Sequence, residues 1–214
     1  MKTISQHLNY FLNGCTKLRD YVTFSERNLQ EELQRYESSL GDENEPGPGD
    51  RFKYQRNLWS SLKHEFPQHH RKATAILFFS IFEDDLNEFC INIEHHEDLK
   101  VSLLDMSSKG IERVKLYLSK VVGLDFPSGE NWRKIVDAKR VRDIFSHTSG
   151  YVKKERHGDI YRIVKSDNTL AIDANSHSRD RVVVRAPEYL TNFLYTVEGF
   201  YQELEREIKK KGLA

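Results

Sequence analysis

The spacing of apolar residues along this chain predicts a mainly α-helical protein. Apolar side chains recur at intervals of three and four residues, which is the spacing of one face of an α-helix. The helices predicted in this way cover about residues 3–40, 51–65, 68–94, 107–122, 131–148 and 187–210. Residues 73–82 are apolar on nearly all sides, which predicts a central, buried helix. We therefore expect an up-and-down helical bundle.

A shorter segment with a different pattern lies between the last two predicted helices. We interpret residues 159–164 as alternating like a strand, and residues 169–172 and 181–185 are short and rich in β-branched side chains, as in strands. We expect two or three strands in a β insert at about residues 159–185. The acidic stretch at residues 41–50, rich in glycine and proline, predicts a flexible loop. All 214 residues are expected to form one domain.

The charge balance argues against a general affinity for nucleic acid, because 33 Lys and Arg residues offset 33 Asp and Glu residues. A local basic patch exists between residues 133 and 156, where eight basic residues stand against three acidic ones, an excess of five. Four of these cations are candidate RNA contacts: Lys139, Arg140, Lys153 and Lys154. The same pattern also fits a solvated helix face.

Several other classes of protein are disfavoured by the composition. The two cysteines, Cys15 and Cys90, occupy apolar positions of helical patterns and predict buried thiols. The adjacent histidines at 69–70 and 95–96 point about 100° apart on a helix, so they chelate poorly, and we expect neither a metal nor a cofactor. No apolar stretch is long enough to cross a bilayer, and no signal peptide is recognisable. We expect a cytoplasmic protein without a membrane partner.

The candidate chemistry lies at the end of the fifth predicted helix, in the segment from Arg142 to His147. Arg binds phosphate through a planar, permanently charged fork, and His exchanges a proton near neutral pH. Asp143 lies four residues before His147 and shares its helix face, where it can fix the imidazole tautomer. Arg142 lies about 140° from His147 around the helix axis. The two side chains therefore converge only if the helix loosens or a second copy of the chain supplies a partner.

The spacing by itself fits a simpler interpretation, a surface Arg and a His that stabilises the end of the helix. Glu83, on the third predicted helix, is a further candidate for the site. It lies one turn from the apolar stripe, and with its neighbours it is more simply expected to face solvent. Gly150 marks the expected end of the fifth helix.

The segment Arg142-Asp143-Ile144-Phe145-Ser146-His147 resembles the signature of the HEPN domains (higher eukaryotes and prokaryotes nucleotide-binding). That signature is an Arg followed four to six residues later by a His, near the end of a helix in an all-helical bundle. Asp143 matches the Asn, Asp or His that typically follows the Arg. Residues 79–90 resemble the other core helix of the family. The resemblance covers about residues 68–150 and 187–210.

The resemblance implies a metal-independent endoribonuclease that acts as a homodimer and leaves a 2′,3′-cyclic phosphate. Arg142 would bind the scissile phosphate, His147 would act as general acid or base, and Asp143 would orient or help to transfer the proton. Ser146, four residues from Arg142, would support it with a hydrogen bond. Such enzymes often serve as toxins of toxin–antitoxin pairs or in antiphage defence, so an antitoxin or defence partner is expected. In one toxin subgroup a modified Tyr follows the His by two positions, where this chain has Ser149.

Two alternatives remain beside this expectation. The first is a non-catalytic HEPN-like binding or scaffold module, since many members of the family have the fold without the activity. The second is a structural helical protein with no role in nucleic-acid chemistry.

Overall fold

The computed structural model describes residues 4–39, 49–174 and 179–213, and it is mostly helical. A π-helical turn, Ser61–Glu65, joins the second helix to the third, and a 3₁₀ turn, Leu103–Asp105, precedes the fourth. The α-helices are α1 (Ile4–Ser39), α2 (Gly49–Ser60), α3 (Phe66–His96), α4 (Gly110–Lys120), α5 (Glu130–Thr148), α6 (Gly158–Ser166) and α7 (Glu188–Lys211). The prediction of a mainly helical protein is confirmed.

The apolar helix α3 forms the centre of the core and contacts α1, α4, α5 and α7. Phe78, Phe79 and Phe82 on α3 are almost fully buried. They pack beside aromatic side chains of α7, with Phe82 and Phe200 ring centroids 6.2 Å apart. Burial of such rings dominates the energetics of a core, so α3 fixes the positions of the helices around it.

Pro67, in the gap between the helices predicted at residues 51–65 and 68–94, lies in the first turn of α3 without interrupting the helical path. The N–H of Phe66 donates to the carbonyl of Ser61, the spacing of a π-helix. Proline lacks an N–H and its ring crowds the carbonyl four residues earlier. The wider π turn immediately before it accommodates this, so the predicted break is a change of helix type.

The sheet has three antiparallel strands, β1 (Tyr151–Val152), β2 (Leu170–Ala174) and β3 (Asp180–Val184), in the order β1-β3-β2. Leu170 pairs with Val184 and Tyr151 pairs with Arg181. The predicted strands at residues 169–172 and 181–185 are confirmed. The two-residue strand β1 had no signal in the sequence.

The strand predicted at residues 159–164 is wrong, because this segment forms α6. Ile160, Ile163 and Val164 are its buried side chains, and their spacing of three and four is that of a helix. The predicted loop at 41–50 falls outside the described residues up to 48, while residues 49 and 50 begin α2.

Candidate functional site

Helix α5 is held on several sides, by α3, α7, α6 and β1. Its end is well defined, because the N–H groups of both Ser149 and Gly150 donate to the carbonyl of Ile144. Both residues have positive φ, 56° and 96°. Its buried side chains are Trp132, Ile135, Val141, Ile144 and Phe145. The candidate residues therefore stand on a firmly packed helix, and its predicted end at Gly150 is confirmed.

Arg142 points towards α3 and is only 19% exposed. Its Nη2 donates to Oε2 of Glu83 at 3.2 Å, and its Nη1 lies 3.2 Å from Oδ1 of Asp143. The guanidinium carbon lies 4.6 Å from the ring centroid of Phe79, within the range of a cation–π contact. Arg142 thus forms a charged link between α5 and α3.

Glu83 does not face open solvent, contrary to the simpler expectation, since it is 24% exposed and pairs with Arg142. A Cβ atom added to Gly110 would lie 2.5 Å from its Oε1, so the carboxylate lies against the first residue of α4. The N-terminal end of a helix favours negative charge. Glu83 therefore connects α3, the start of α4 and α5.

Asp143 has both of its oxygens in use. Oδ2 accepts a hydrogen bond from Nζ of Lys139 at 2.7 Å, and Oδ1 faces Arg142. No contact joins Asp143 to His147 in the part of the chain that the structure describes, so the expected fixing of the imidazole tautomer is not present in the single chain.

His147 is exposed and makes no hydrogen bond or ion pair with any described residue. Ser146 is likewise exposed and does not bond to Arg142. The structure therefore leaves Arg142 and His147 apart within one chain, as expected for residues five apart on a straight helix. A site that uses both needs a second copy.

The four predicted RNA-contacting cations divide into two groups. Lys139 is paired with Asp143, and Arg140 is paired with Asp137 at 3.1 Å. Lys153 and Lys154, just beyond the end of α5, are exposed and form no ion pair with a described residue. The free basic surface therefore lies beyond the helix end, near His147 in the sequence.

Sequence reasoning did not find Lys72, a buried cation on α3 that is 6% exposed. Its Nζ donates to the carbonyl of Ser149 at 3.4 Å. Desolvation by burial, with repulsion from Arg181, lowers the pKa of Lys72 to about 8, against a smaller opposing effect of Asp173. The only signal that the sequence offers is a lysine directly before the apolar run at residues 73–82, and a snorkelling side chain gives the same signal.

A buried polar cluster around Asp85 was also not predicted. Oδ1 of Asp85 lies 3.3 Å from Nε2 of His7, and Oδ2 accepts a hydrogen bond from the hydroxyl of Tyr201 at 2.5 Å. The sequence did contain a clue to this cluster, because Asp85 lies on the same helix face as the apolar residues Phe82 and Phe89. A charged residue on a buried stripe needs a partner, and the cluster supplies one.

A groove of about 580 Å³ lies between α5, the residues after α6, and α7. Ala138 of α5 lines it. Ala138 and His147 are nine residues apart and so lie on opposite faces of the helix. The groove therefore does not belong to the surface that carries His147.

Within the described residues, no group of three or more His, Cys, Asp or Glu side chains is placed to hold a metal ion. Nor does any helix there have the length and apolar character needed to cross a membrane. Cys15 and Cys90 are free, buried thiols, as predicted, and burial raises the pKa of both.

Comparison with known proteins finds no matching family model, no matching curated protein and no matching solved structure. The resemblance to HEPN domains therefore rests on the residues of this chain alone.

Proposed function

We propose that this protein is a metal-independent endoribonuclease of the HEPN type that acts as a homodimer. The observation that carries the proposal is His147, an exposed imidazole without a partner among the described residues, on a helix that is packed on its other sides. An unpaired His is free to exchange protons with a substrate. Lys153 and Lys154, which form no ion pair with a described residue, provide positive charge nearby in the sequence for a phosphate backbone.

In this mechanism one His147 accepts the proton of a ribose 2′-hydroxyl, and the 2′-oxygen attacks the adjacent phosphorus. The bond to the 5′-oxygen breaks, and a water molecule donates a proton to that leaving oxygen. The products are a 2′,3′-cyclic phosphate and a 5′-hydroxyl. General acid–base catalysis of this kind contributes about 10²–10⁴ in rate.

Arg142 is proposed to hold the scissile phosphate, although Glu83 and Asp143 already neutralise part of its charge. A guanidinium has five N–H donors. Glu83 accepts a hydrogen bond from one N–H of Nη2, and Asp143 forms an ion pair on the side of Nη1. One N–H on each Nη is therefore left for phosphate oxygens. Asp143 would then orient Arg142 rather than His147, while Ser146 remains a proposed supporting residue.

The test is cleavage of a labelled RNA in the presence of EDTA. His147→Ala is expected to lower the cleavage rate by about 10²–10⁴ while leaving the fold intact, and Arg142→Ala is expected to lower it as well. His95→Ala is a matched control, because His95 is also exposed and also lacks a partner among the described residues. Wild-type protein that leaves every tested RNA intact would contradict the proposal.

The second candidate function is a non-catalytic HEPN-like module that binds or scaffolds another molecule. The pairing of Arg142 with two carboxylates and the Phe79 ring favours it, since these contacts suit a purely structural role. In that case Arg142→Ala lowers stability, and wild-type and His147→Ala proteins behave alike towards RNA. A role as a toxin with an antitoxin partner, or in antiphage defence, is proposed only for the endoribonuclease and not for the non-catalytic module.

A further inference from the structure

Two cations without a carboxylate partner in the described chain lie close to the end of α5, Lys72 on α3 and Arg181 on β3. Lys72 is 6% exposed, and its Nζ makes one long hydrogen bond, 3.4 Å, to the carbonyl of Ser149. The ring centroid of Phe145 lies 5.4 Å from the same nitrogen. An ammonium group has three donors, so two donors of a largely buried charge have no partner among the described residues.

Arg181 shows the same shortage of partners. Its Nε is buried and makes no hydrogen bond within the described structure, and its guanidinium carbon lies 5.7 Å from the ring centroid of Tyr151. Asp173 is directly opposite Arg181 in the register of β2 and β3, yet it forms no ion pair with it. The charge of Arg181 is therefore also left without a direct partner among the described residues.

Gly150 separates the two cations and lets them approach the end of α5. A Cβ atom at this position would lie 2.8 Å from Nζ of Lys72 and 3.5 Å from Cγ of Arg181. Both cations thus flank one glycine, three residues after His147. The absence of a side chain here leaves room for Nζ of Lys72 itself, so its charge lies directly against the end of α5.

Placing like charges together with little compensation is unfavourable, because burial penalises each charge and the charges repel each other. Lys72 could simply stabilise the carbonyl end of α5, where a cation is favoured. That role accounts for the contact with Ser149 but not for Arg181, whose buried Nε has no hydrogen-bond partner in the described part of the chain. A bound oxyanion would satisfy donors of both side chains at once.

We propose that Lys72 and Arg181 bind a phosphate group of the RNA strand next to the phosphate on which His147 acts. This inference rests on the proposed endoribonuclease function and adds the residues that position the strand. Tyr151, 39% exposed, lies beside Arg181 and offers a ring on which a base can stack.

The experiment measures binding of a short fluorescein-labelled oligouridylate by fluorescence anisotropy, with His147→Ala as the background so that the strand stays intact. Lys72→Met keeps most of the packed stem and removes the charge, and Arg181→Gln removes the second charge. Each is expected to weaken binding about tenfold and to reduce the slope of log affinity against log salt by about one. Lys17→Met, at an exposed site on α1, is expected to leave affinity unchanged.

Thermal melting of the same variants separates the two roles of Lys72. If Lys72→Met lowers the melting temperature while both variants keep full affinity, Lys72 only stabilises the helix end and the inference is overturned. If Lys72→Met does not fold, Arg181→Gln alone decides. If wild-type protein neither binds nor cleaves RNA, the proposed function is overturned together with the phosphate site. If wild-type protein cleaves RNA but Lys72→Met and Arg181→Gln leave binding unchanged, only the phosphate site is overturned.

Discussion

Asp85 carries a carboxylate into the core of the bundle, where His7 from α1 and Tyr201 from α7 contact it. Nδ2 of Asn92 lies 3.0 Å from Nδ1 of His7. Nε2 of His7 faces Oδ1 of Asp85 at 3.3 Å without hydrogen-bond geometry, so the contact is an ion pair when the imidazole is protonated. The cluster joins α1, α3 and α7 through charge as well as apolar packing.

The first prediction concerns the pKa of His7. Contact with Asp85 raises this pKa above its ordinary 6.5, although burial acts to lower it. A pKa of His7 that is higher in the folded than in the unfolded protein means that protonation of His7 stabilises the fold. This stabilisation is fully present below the pKa of His7 in the unfolded protein, and it is lost as pH rises through its pKa in the folded protein. Asp85→Asn should lower the pKa of His7, measured by NMR titration of its ring protons. It should also weaken the pH dependence of the free energy of unfolding in the pH range where His7 titrates.

Asp84→Asn is the control for this prediction, because Asp84 is the exposed neighbour of Asp85. It should leave the pKa of His7 nearly unchanged. An Asp85→Asn protein in which His7 titrates as in the wild type would show that the carboxylate does not set this pKa.

At the scale of elements, the end of α5 is joined to the sheet through Gly150. The N–H of Val182 donates to the carbonyl of Gly150 at 2.8 Å, so the chain leaves the helix and immediately pairs with β3. Gly150 has φ of 96°, a conformation that other residues adopt only under strain. The position of Tyr151, Arg181 and the end of α5 thus depends on one glycine.

The second prediction compares the same substitution at two glycines. Gly150→Ala should destabilise the protein by about 1–3 kcal/mol or more, because its Cβ would lie 2.9 Å from the carbonyl oxygen of Val182 as well as close to Lys72. Gly14→Ala should stabilise it by about 0.5–1 kcal/mol, since Gly14 lies within α1 and a Cβ there meets nothing within 4 Å. Urea unfolding measures both, and equal effects would contradict the assignment of strain to Gly150.

The elements predicted from the sequence differ in how well local pattern determined them. Long helices such as α3 and α7 follow from apolar spacing, because one face must be buried over many turns. The apolar residues Ile160, Ile163 and Val164 follow the three-to-four-residue spacing of a helix, but the β-branched side chains of residues 159–164 favoured a strand. Packing of Ile160, Ile163 and Val164 into the core decided for the helix. A six-residue pattern is too short to distinguish them.

At the scale of the whole molecule, the proposed site requires two copies of the chain. We predict a homodimer with twice the 25.2 kDa mass of the chain, since Arg142 faces α3 while His147 faces outward. Sedimentation equilibrium at micromolar concentration measures this mass. A strict monomer would remove the composite site and with it the proposed mechanism.

A mixing experiment tests whether the two copies share one site. Arg142→Ala and His147→Ala proteins are each expected to be impaired, but a mixture of the two should recover part of the cleavage activity. The mixed dimer keeps one intact Arg142 and one intact His147 on opposite protomers. If the mixture is no more active than the separate variants, the residues do not act across the dimer.

Spacing along the sequence was enough to predict the described helices other than α6, the two longer strands, the buried thiols and the separation of Arg142 from His147 around one helix. All of these depend on spacing between near neighbours, which the fixed geometry of a helix or strand converts into direction. Only the tertiary structure decided that Glu83 meets Arg142 across 59 positions and that Lys72 meets Ser149 across 77. Such contacts depend on how whole helices pack against each other, and local spacing does not specify which distant charges packing brings together.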